Sequence, residues 1–399
     1  MSLPTPAERV TQPVASSSRL RVLFYVGALC LFASELLNVY FIMPFPGSQR
    51  MRSIDLAYAL FEWRWPLRVL CGGLLVAGFP AAWRAGGRRR WLVAATLALV
   101  AAGAFVANYF LAADQAFQQP RTLILRAAAT NAVPGDRLVV GIEVDGEARA
   151  YPLWFIGYHH QVRDRVGGRE VLVSYCTVCR TGRVFSPYVE GKLERFRLVG
   201  MDHFNAMFED ASTGSWWRQA NGEAITGKRK GMRLDEIPSQ QVTLKQWLEL
   251  HPESLVMQAD PSLVDEYAKS TDFETGASRK RLTGTNPASW EEKSWVVGIA
   301  SGGHSKAYDW NRLKRERVIN DEVGGTPIVL VLAADSTSFF AFVRPDAATR
   351  FELHADSLVS PTGAFPLTGG GPAGALAAIG ASQEFWLSWR TFHPETERY

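Results

Sequence analysis

The stretch Trp91–Ala113 holds 23 residues and not one charge. About 20 consecutive apolar residues are enough to carry a helix through the hydrocarbon of a bilayer. Two further apolar blocks precede it. Val22–Met43 has 22 residues broken mainly by Glu35 and Asn38, and Leu67–Trp83 has 17 with Arg68 near its start and Pro80 near its end. The aromatics Trp63 and Trp65 stand just before the middle block, as side chains at a membrane interface do. Residues 1–119 are therefore expected to form a membrane anchor of about three transmembrane helices. The first block also has the length of a signal-peptide core. Two further blocks, and no clear small-x-small cleavage site, favour a retained span.

Charge sets the expected orientation. Residues 1–119 carry 11 Arg, no Lys and 5 acids, a net +6, while the remaining 280 residues are net −2. Four of those arginines fall in Arg84–Arg90, and Arg19 and Arg21 flank the first block. Positive loops stay in the cytoplasm, so the protein is expected in the cytoplasmic (inner) membrane with everything after about residue 114 on the extracytoplasmic side. The excess of base is confined to the anchor, which argues against a nucleic-acid partner. Membrane or periplasmic proteins fit that location as partners. Glu35, inside the first block, is assigned no role.

The large domain repeats itself. "VVGIEVDGEARAYPL" begins at Val139 and "VVGIASGGHSKAYDW" at Val296, "DRVGG" begins at Asp164 and "DEVGG" at Asp321, all offset by 157 residues. "QWLELHP" (Gln246–Pro252) and "SWRTFHP" (Ser388–Pro394) rhyme at the ends. Alternating apolar residues broken by Asp145-Gly146, Gly167-Gly168 and Glu190-Gly191 read as strands and hairpins. The expected fold class is thus N-terminal transmembrane helices followed by a β-dominated α+β extracytoplasmic domain of two duplicated lobes. The first lobe is 120–254, a polar linker or lid is 255–292, and the second, degenerate lobe is 293–399. Features present in both copies, including Gly141, Tyr151, Asp164, Gly167 and the His251-Pro252 and His393-Pro394 pairs, read as structural.

Features of one copy alone are the better functional candidates, and "SYCTVCRTG" (Ser174–Gly182) leads them. Cys176 and Cys179 have no counterpart in the second copy, where Ala333 and Ser336 stand. Cys30 and Cys71, one in each of two apolar blocks, read as small buried hydrophobes. Gly182 and the β-prone Val184-Phe185 place the pair at a hairpin tip rather than at the start of a helix, and the tip is expected to be reachable from solvent. A structural zinc site needs four ligands, which are lacking. Arg180 occupies the place of the His in a c-type haem signature. Neither haem nor nucleotide is expected.

Three chemistries stay open. The pair cycles between dithiol and disulfide, with Arg180 and Arg183 favouring thiolate. It binds a soft ion such as Cu(I) through Cys176, Cys179 and His203, with His160 or Met201 as further donors. Or it is a static disulfide in a non-catalytic binding or assembly module, although so short a loop adds little stability. A weaker alternative is a hydrolase or transferase with Cys176 as nucleophile and His160 or His203 as base. The candidate catalytic set is Cys176, Cys179, Arg180, His160 and His203. The candidate pocket is Tyr175, Asn205, Trp216 and Gln219, drawn partly from "TGSWWRQANGEAITG" (Thr213–Gly227). Trp216 and Trp217 are adjacent, so on a strand only one of them faces a given pocket.

"VVGIEVDGEARAYPL", "VRDRVGG", "VSYCTVCRTGRVF", "TGSWWRQANGEAITG" and "FHPETERY" together resemble domain-of-unknown-function family 3179 of bacteria and archaea. The family pattern has a Tyr-Cys-x-x-Cys core and a Thr-Gly-Ser-x-Trp stretch. The resemblance covers most of 136–252 and returns more weakly in 293–399. This chain departs from the usual Pro-Leu between the cysteines and Gly after them, having Thr177-Val178 and Arg180. The resemblance implies no activity.

Overall fold

The computed structural model describes residues 14–269, 271–371 and 374–399, and the chain divides into two compact units, 1–116 and 117–399. It is β-rich behind a helical N-terminal region.

The first unit is built from α1 (Val14–Tyr40), α2 (Ile54–Glu62), α3 (Arg64–Gly86) and α4 (Arg90–Phe105), the last running on into a π-helical turn, Val106–Phe110. Two helical stretches, Ser18–Tyr40 and Arg64–Phe110, are long and apolar enough to cross a membrane. The second and third apolar blocks of the sequence thus fall within one 47-residue stretch, interrupted at Gly87, whose φ of 47° an L side chain rarely adopts. Glycines let α1 and α3 touch backbone to backbone. A Cβ on Gly78 would lie 2.3 Å from the Phe24 nitrogen, and one on Gly27 would lie 2.5 Å from the Leu75 nitrogen. On the same seam Cys30 and Cys71 are joined in a disulfide with Cα atoms 5.8 Å apart. The sequence expectation of two separate hydrophobes is corrected there: the glycine contacts bring the helices close enough for the sulfurs to meet. Glu35, given no role from sequence, receives the Arg68 guanidinium on both oxygens (2.5 and 2.7 Å) and an amide hydrogen bond from Asn108 at 2.8 Å. One polar cluster therefore ties α1, α3 and the π-helical turn together.

In the second unit the order is β1 (Leu125–Ala127), β2 (Leu138–Val144), β3 (Glu147–Pro152), α5 (Leu153–His159), β4 (Gln161–Val166), β5 (Arg169–Cys176) and β6 (Thr181–Phe185). Next come β7 (Phe196–Asp202), β8 (Asn205–Asp210), β9 (Trp216–Arg218), β10 (Gln240–Thr243), α6 (Leu244–Leu250) and β11 (Leu255–Met257). The second half continues with β12 (Trp295–Ser301), β13 (His304–Asp309), α7 (Trp310–Glu316), β14 (Val318–Val323), β15 (Thr326–Leu332) and β16 (Phe339–Val343). After them lie β17 (Glu352–His354), β18 (Ser357–Ser360), β19 (Gly363–Pro366), β20 (Ala381–Phe385), α8 (Trp386–Phe392) and β21 (Glu397–Arg398). The first half holds a five-stranded sheet, order β1-β11-β3-β2-β10, and the antiparallel sheet β4-β5-β6. The second half holds β20-β12-β13-β21 and β14-β15-β16.

The residues shared by the two halves do the same work in each. Trp247 packs flat on Gly141, where a Cβ would stand 2.3 Å from the indole, and Trp389 packs on Gly298 at 2.2 Å. Each indole stacks against the histidine that follows it, His251 at 4.1 Å and His393 at 3.8 Å between ring centroids. Tyr151 donates to Asp164 at 2.7 Å and Tyr308 to Asp321 at 3.0 Å. Gly167 and Gly324 both hold φ at 55° in the hairpins that follow. Residues 255–257, placed in the linker from sequence, pair in parallel with β3 and antiparallel with β1, and so lie inside the first sheet. Beyond them Tyr267 and Phe273 are buried, because each carries an aromatic ring into the core of the first half. That core is shared: Val139, Val173 and Trp247 belong to the same apolar cluster as Val329, Phe340 and Phe342.

The two glycines under the indoles provide a direct check. Gly141→Ala and Gly298→Ala should each cost about 1–3 kcal/mol through overpacking, read as a lower unfolding midpoint of the full-length protein in detergent. Unchanged midpoints would show that the indoles move aside freely.

Candidate functional site

Cys176 is the last residue of β5 and pairs with Thr181, the first of β6, so Thr177–Arg180 form a four-residue turn. Its closing residue, Arg180, takes φ 60°. The hairpin expected from sequence is there, but its tip is not open to solvent. Cys176 is 0% and Cys179 2% exposed. The cover comes from both halves of the domain. On one side lie β7 and β8, and on the other β20, whose Phe385 N–H donates to the Cys179 carbonyl at 3.0 Å.

Both cysteines are free thiols, and the Cys179 thiol donates to the Cys176 carbonyl at 3.7 Å. Burial raises the Cys176 thiol, but the Cys179 thiol and the backbone N–H groups of Cys179, Ala206 and Val178 outweigh it and hold Cys176 below its ordinary value. The protonated form donates to the Phe204 carbonyl at 3.5 Å. Cys179 goes the other way: burial, then the Cys176 partner, push it well above the ordinary range. The pair is thus asymmetric, with one sulfur suited to carry the negative charge and one suited to keep its proton.

Asn205 and Gln219 join Cys179 in one network. Asn205 Nδ2 donates to Cys179 Sγ at 3.0 Å and to Gln219 Oε1 at 2.9 Å, and Gln219 Nε2 donates to the Thr181 carbonyl at 3.0 Å and to Ser174 Oγ at 3.2 Å. These amides are buried completely, so each bond is needed to offset lost hydration. The other expected site residues go elsewhere. Trp216 is buried and donates to Glu209 at 3.1 Å, Trp217 is buried and donates to Asp210 at 2.8 Å, and both indoles fill the interior. Tyr175, beside Cys176 but on the opposite face of β5, packs its ring against Phe273 at 5.7 Å, and burial pushes its phenol far up.

Arg180 does not approach Cys176. Its guanidinium donates to Gln383 Oε1, the Phe273 carbonyl and the Glu274 carbonyl at 2.8–3.0 Å and lies 3.7 Å from the Trp295 ring. Every nitrogen is used in locking the turn to β20 and to the segment after Thr271, so Arg180 acts structurally. Arg183 is neutralised by Glu384 at 2.9 Å and Glu236 at 3.2 Å. His203 shares Asp202 with Arg218, at 2.6 Å from each. Burial raises the Asp202 carboxyl, but these two partners hold it below its usual range. His160 stands in a left-handed cap after α5 with Nδ1 3.1 Å from the Tyr158 carbonyl, and burial pulls its imidazole down to about 4. Among the described residues neither ring has a hydrogen bond to either sulfur, and no group of three His, Cys, Asp or Glu comes together as a metal site, so the set Cys176, Cys179 and His203 is not assembled.

Residues from beyond the first half complete the surroundings. Lys293 donates from Nζ to the Val178 carbonyl at 2.6 Å, and Glu384 accepts from Ser388 at 2.9 Å beneath the turn. No sequence signal marks them, since each arrives from more than 110 residues away by the docking of the second half. A cleft of about 210 Å³ opens beside β6, lined by Gly182, Arg183, Glu236, Pro238 and Ala381; neither sulfur lines it.

Fold and site together define a β-rich domain with a buried dithiol turn, preceded by apolar helices. The chain belongs to a family described as protein of unknown function (DUF3179), whose model matches residues 118–396. No curated protein matches the chain, and no solved structure does.

The buried histidines set an acid limit on the domain. Burial lowers His159, His160, His251 and His393 alike. A folded-state pKa below the unfolded ~6.5 means that protonation favours unfolding, so this stability is complete above about pH 6.5 and is lost as pH falls towards 4. His160, lowered to about 4, contributes up to about 3 kcal/mol of that loss. Melting curves between pH 7.5 and 5 should show the drop, and His160→Asn should flatten it. An unchanged slope in that variant would remove His160 from the account.

Proposed function

We propose that this is a membrane-anchored protein whose extracytoplasmic domain carries out thiol–disulfide exchange at Cys176 and Cys179. The observation that carries the reading is the pair itself: two free thiols three positions apart at one turn, with Asn205 donating to the Cys179 sulfur at 3.0 Å and the Cys176 thiol held low while the Cys179 thiol is pushed up. In the exchange, the Cys176 thiolate attacks one sulfur of a partner disulfide. The new S–S bond forms as the partner's bond breaks, and the departing partner thiolate takes up a proton. The Cys179 thiol then loses its proton, attacks Cys176 and expels the second partner thiol. Two electrons pass from the dithiol to the partner, and Cys176–Cys179 becomes the disulfide; the reverse sequence oxidises a partner dithiol. Because both sulfurs are covered, exchange requires the His203–Phe204 turn to swing aside. Those two residues hold φ of 50° and 66°, a conformation that non-glycine side chains adopt at some cost.

The rival chemistries have less support. A copper site has two sulfurs and, among the described residues, no third His, Cys, Asp or Glu grouped with them. A hydrolase needs a base against Cys176, and His160 and His203 are engaged elsewhere.

We also read the domain as two duplicated lobes, from the 157-residue offset and the matched Gly–Trp–His and Tyr–Asp contacts of the two halves. The anchor crosses the membrane three times in this reading, since a 47-residue helical stretch is about 70 Å long, over twice the ~30 Å hydrocarbon core, and it breaks at Gly87. The Arg84–Arg90 loop is then cytoplasmic and the large domain external.

Two measurements test this. Thiol trapping and peptide mass mapping of the full-length protein, equilibrated in mixtures of oxidised and reduced dithiothreitol, should show Cys176–Cys179 forming and breaking as one two-electron couple. A pair that stays reduced under oxidising conditions would end the redox reading. Alkaline phosphatase, active only outside the cytoplasm, should be active when fused at residue 399 and inactive at residue 87; the opposite pattern would invert the topology.

A further inference from the structure

Lys293 lies just before β12, far from the cysteines in sequence, yet its ammonium ends on their turn. Nζ donates to the Val178 carbonyl at 2.6 Å and to the Leu282 carbonyl at 2.7 Å, and it stands 4.3 Å from the centre of the Phe385 ring. No carboxylate pairs with it among the described ion pairs. Glu292 is the acid that acts on it from its own segment, and the other anions it meets are Cys179 and Cys176 when ionised. Burial lowers the Lys293 ammonium.

The carbonyl that Lys293 grips is the far end of a single peptide unit. Val178 C=O and Cys179 N–H belong to the same amide, in the turn that follows Cys176, and that N–H is one of the groups that hold the Cys176 thiol low. A cation on the oxygen draws electron density through the amide and makes the N–H a better donor, so the two hydrogen bonds strengthen each other. We infer that Lys293 is a positioning residue for the dithiol: it fixes the 178–179 peptide and, through it, favours the Cys176 thiolate. This rests on the thiol–disulfide reading for its purpose, but not for its physics. The other charges on the turn do not substitute for it. Arg180 is spent on Gln383 and two carbonyls, Arg183 on Glu384 and Glu236, and Glu384 adds negative charge towards Cys179.

The test uses full-length protein carrying Cys179→Ser, so that Cys176 alone titrates beside the Cys30–Cys71 disulfide. Thiolate absorbance against pH, with the Cys176→Ser/Cys179→Ser protein as blank, gives the Cys176 midpoint. Lys293→Met should raise it by about one pH unit, the lower end of what an opposite charge supplies, and Lys293→Arg should restore it. If Lys293→Met does not fold, Lys293→Gln keeps a donor for the Val178 carbonyl without the charge and makes the same comparison. In the wild-type cysteine background, the tenfold loss of thiolate stabilisation should make the couple less oxidising by about 30 mV. A folded Met or Gln variant with an unmoved midpoint overturns the inference even where Cys176–Cys179 forms normally. A pair that never oxidises overturns the redox reading while leaving the midpoint shift to be read by itself.

Discussion

The hydrogen bond from Phe385 N–H to the Cys179 carbonyl, 3.0 Å long, joins an edge strand of the second half to the dithiol turn of the first. Much of the domain is arranged around that junction. Trp389, seated on Gly298, holds α8 against β12, and α8 follows directly from the strand that makes the contact. Beneath it, Ser388 hydrogen-bonds to Glu384 and lies 3.3 Å from Thr181. Arg180 adds a second lock by reaching Gln383 of the same strand and the carbonyls of Phe273 and Glu274. A buried guanidinium with every nitrogen satisfied is costly to break, because removing any one partner leaves a desolvated charge short of a hydrogen bond.

Enclosure has chemical consequences. Away from water the direction of each N–H, carbonyl and ammonium weighs more than it would at a surface. Backbone amides at 178, 179 and 206 favour charge on Cys176, while burial keeps the proton on Cys179. Asn205 and Gln219 hold the second sulfur in place by side-chain amides that are themselves fully paired. In the proposed exchange, the same enclosure makes opening at the His203–Phe204 turn, whose residues hold φ of 50° and 66°, a control on the rate.

The comparison of the two halves sharpens which residues are structural. Gly141 and Gly298 each lie under an indole, and Tyr151 and Tyr308 each donate to an aspartate. These pairs hold strands and helices together wherever they occur. The two thiols and the Asn205–Gln219 amides belong to one half alone.

Much of this was legible in the sequence because it depends on local periodicity. Runs without charge had to become apolar helices, Asp145-Gly146 and Gly167-Gly168 had to turn, and Gly182 after the cysteines had to place them on a hairpin. Asn205 and Gln219 were recognisable because they occur in one copy only. What lay beyond reach depends on contacts between distant segments. The burial of the hairpin tip follows from β20, some 200 residues later in the chain. Arg180 looked like a cation for a thiolate until the positions of Phe273, Glu274 and Gln383 claimed it. Trp216 looked like a pocket wall until Glu209 and the interior took it up. Cys30 met Cys71 because Gly27 and Gly78 admit close approach of two helices. Lys293 carries no motif at all; only the docking of the second half brings its ammonium onto the Val178 carbonyl. Sequence determines which residues can bend, pair or ionise, whereas the charge a thiol bears in a dry interior is decided by groups that only tertiary packing brings within a few ångströms.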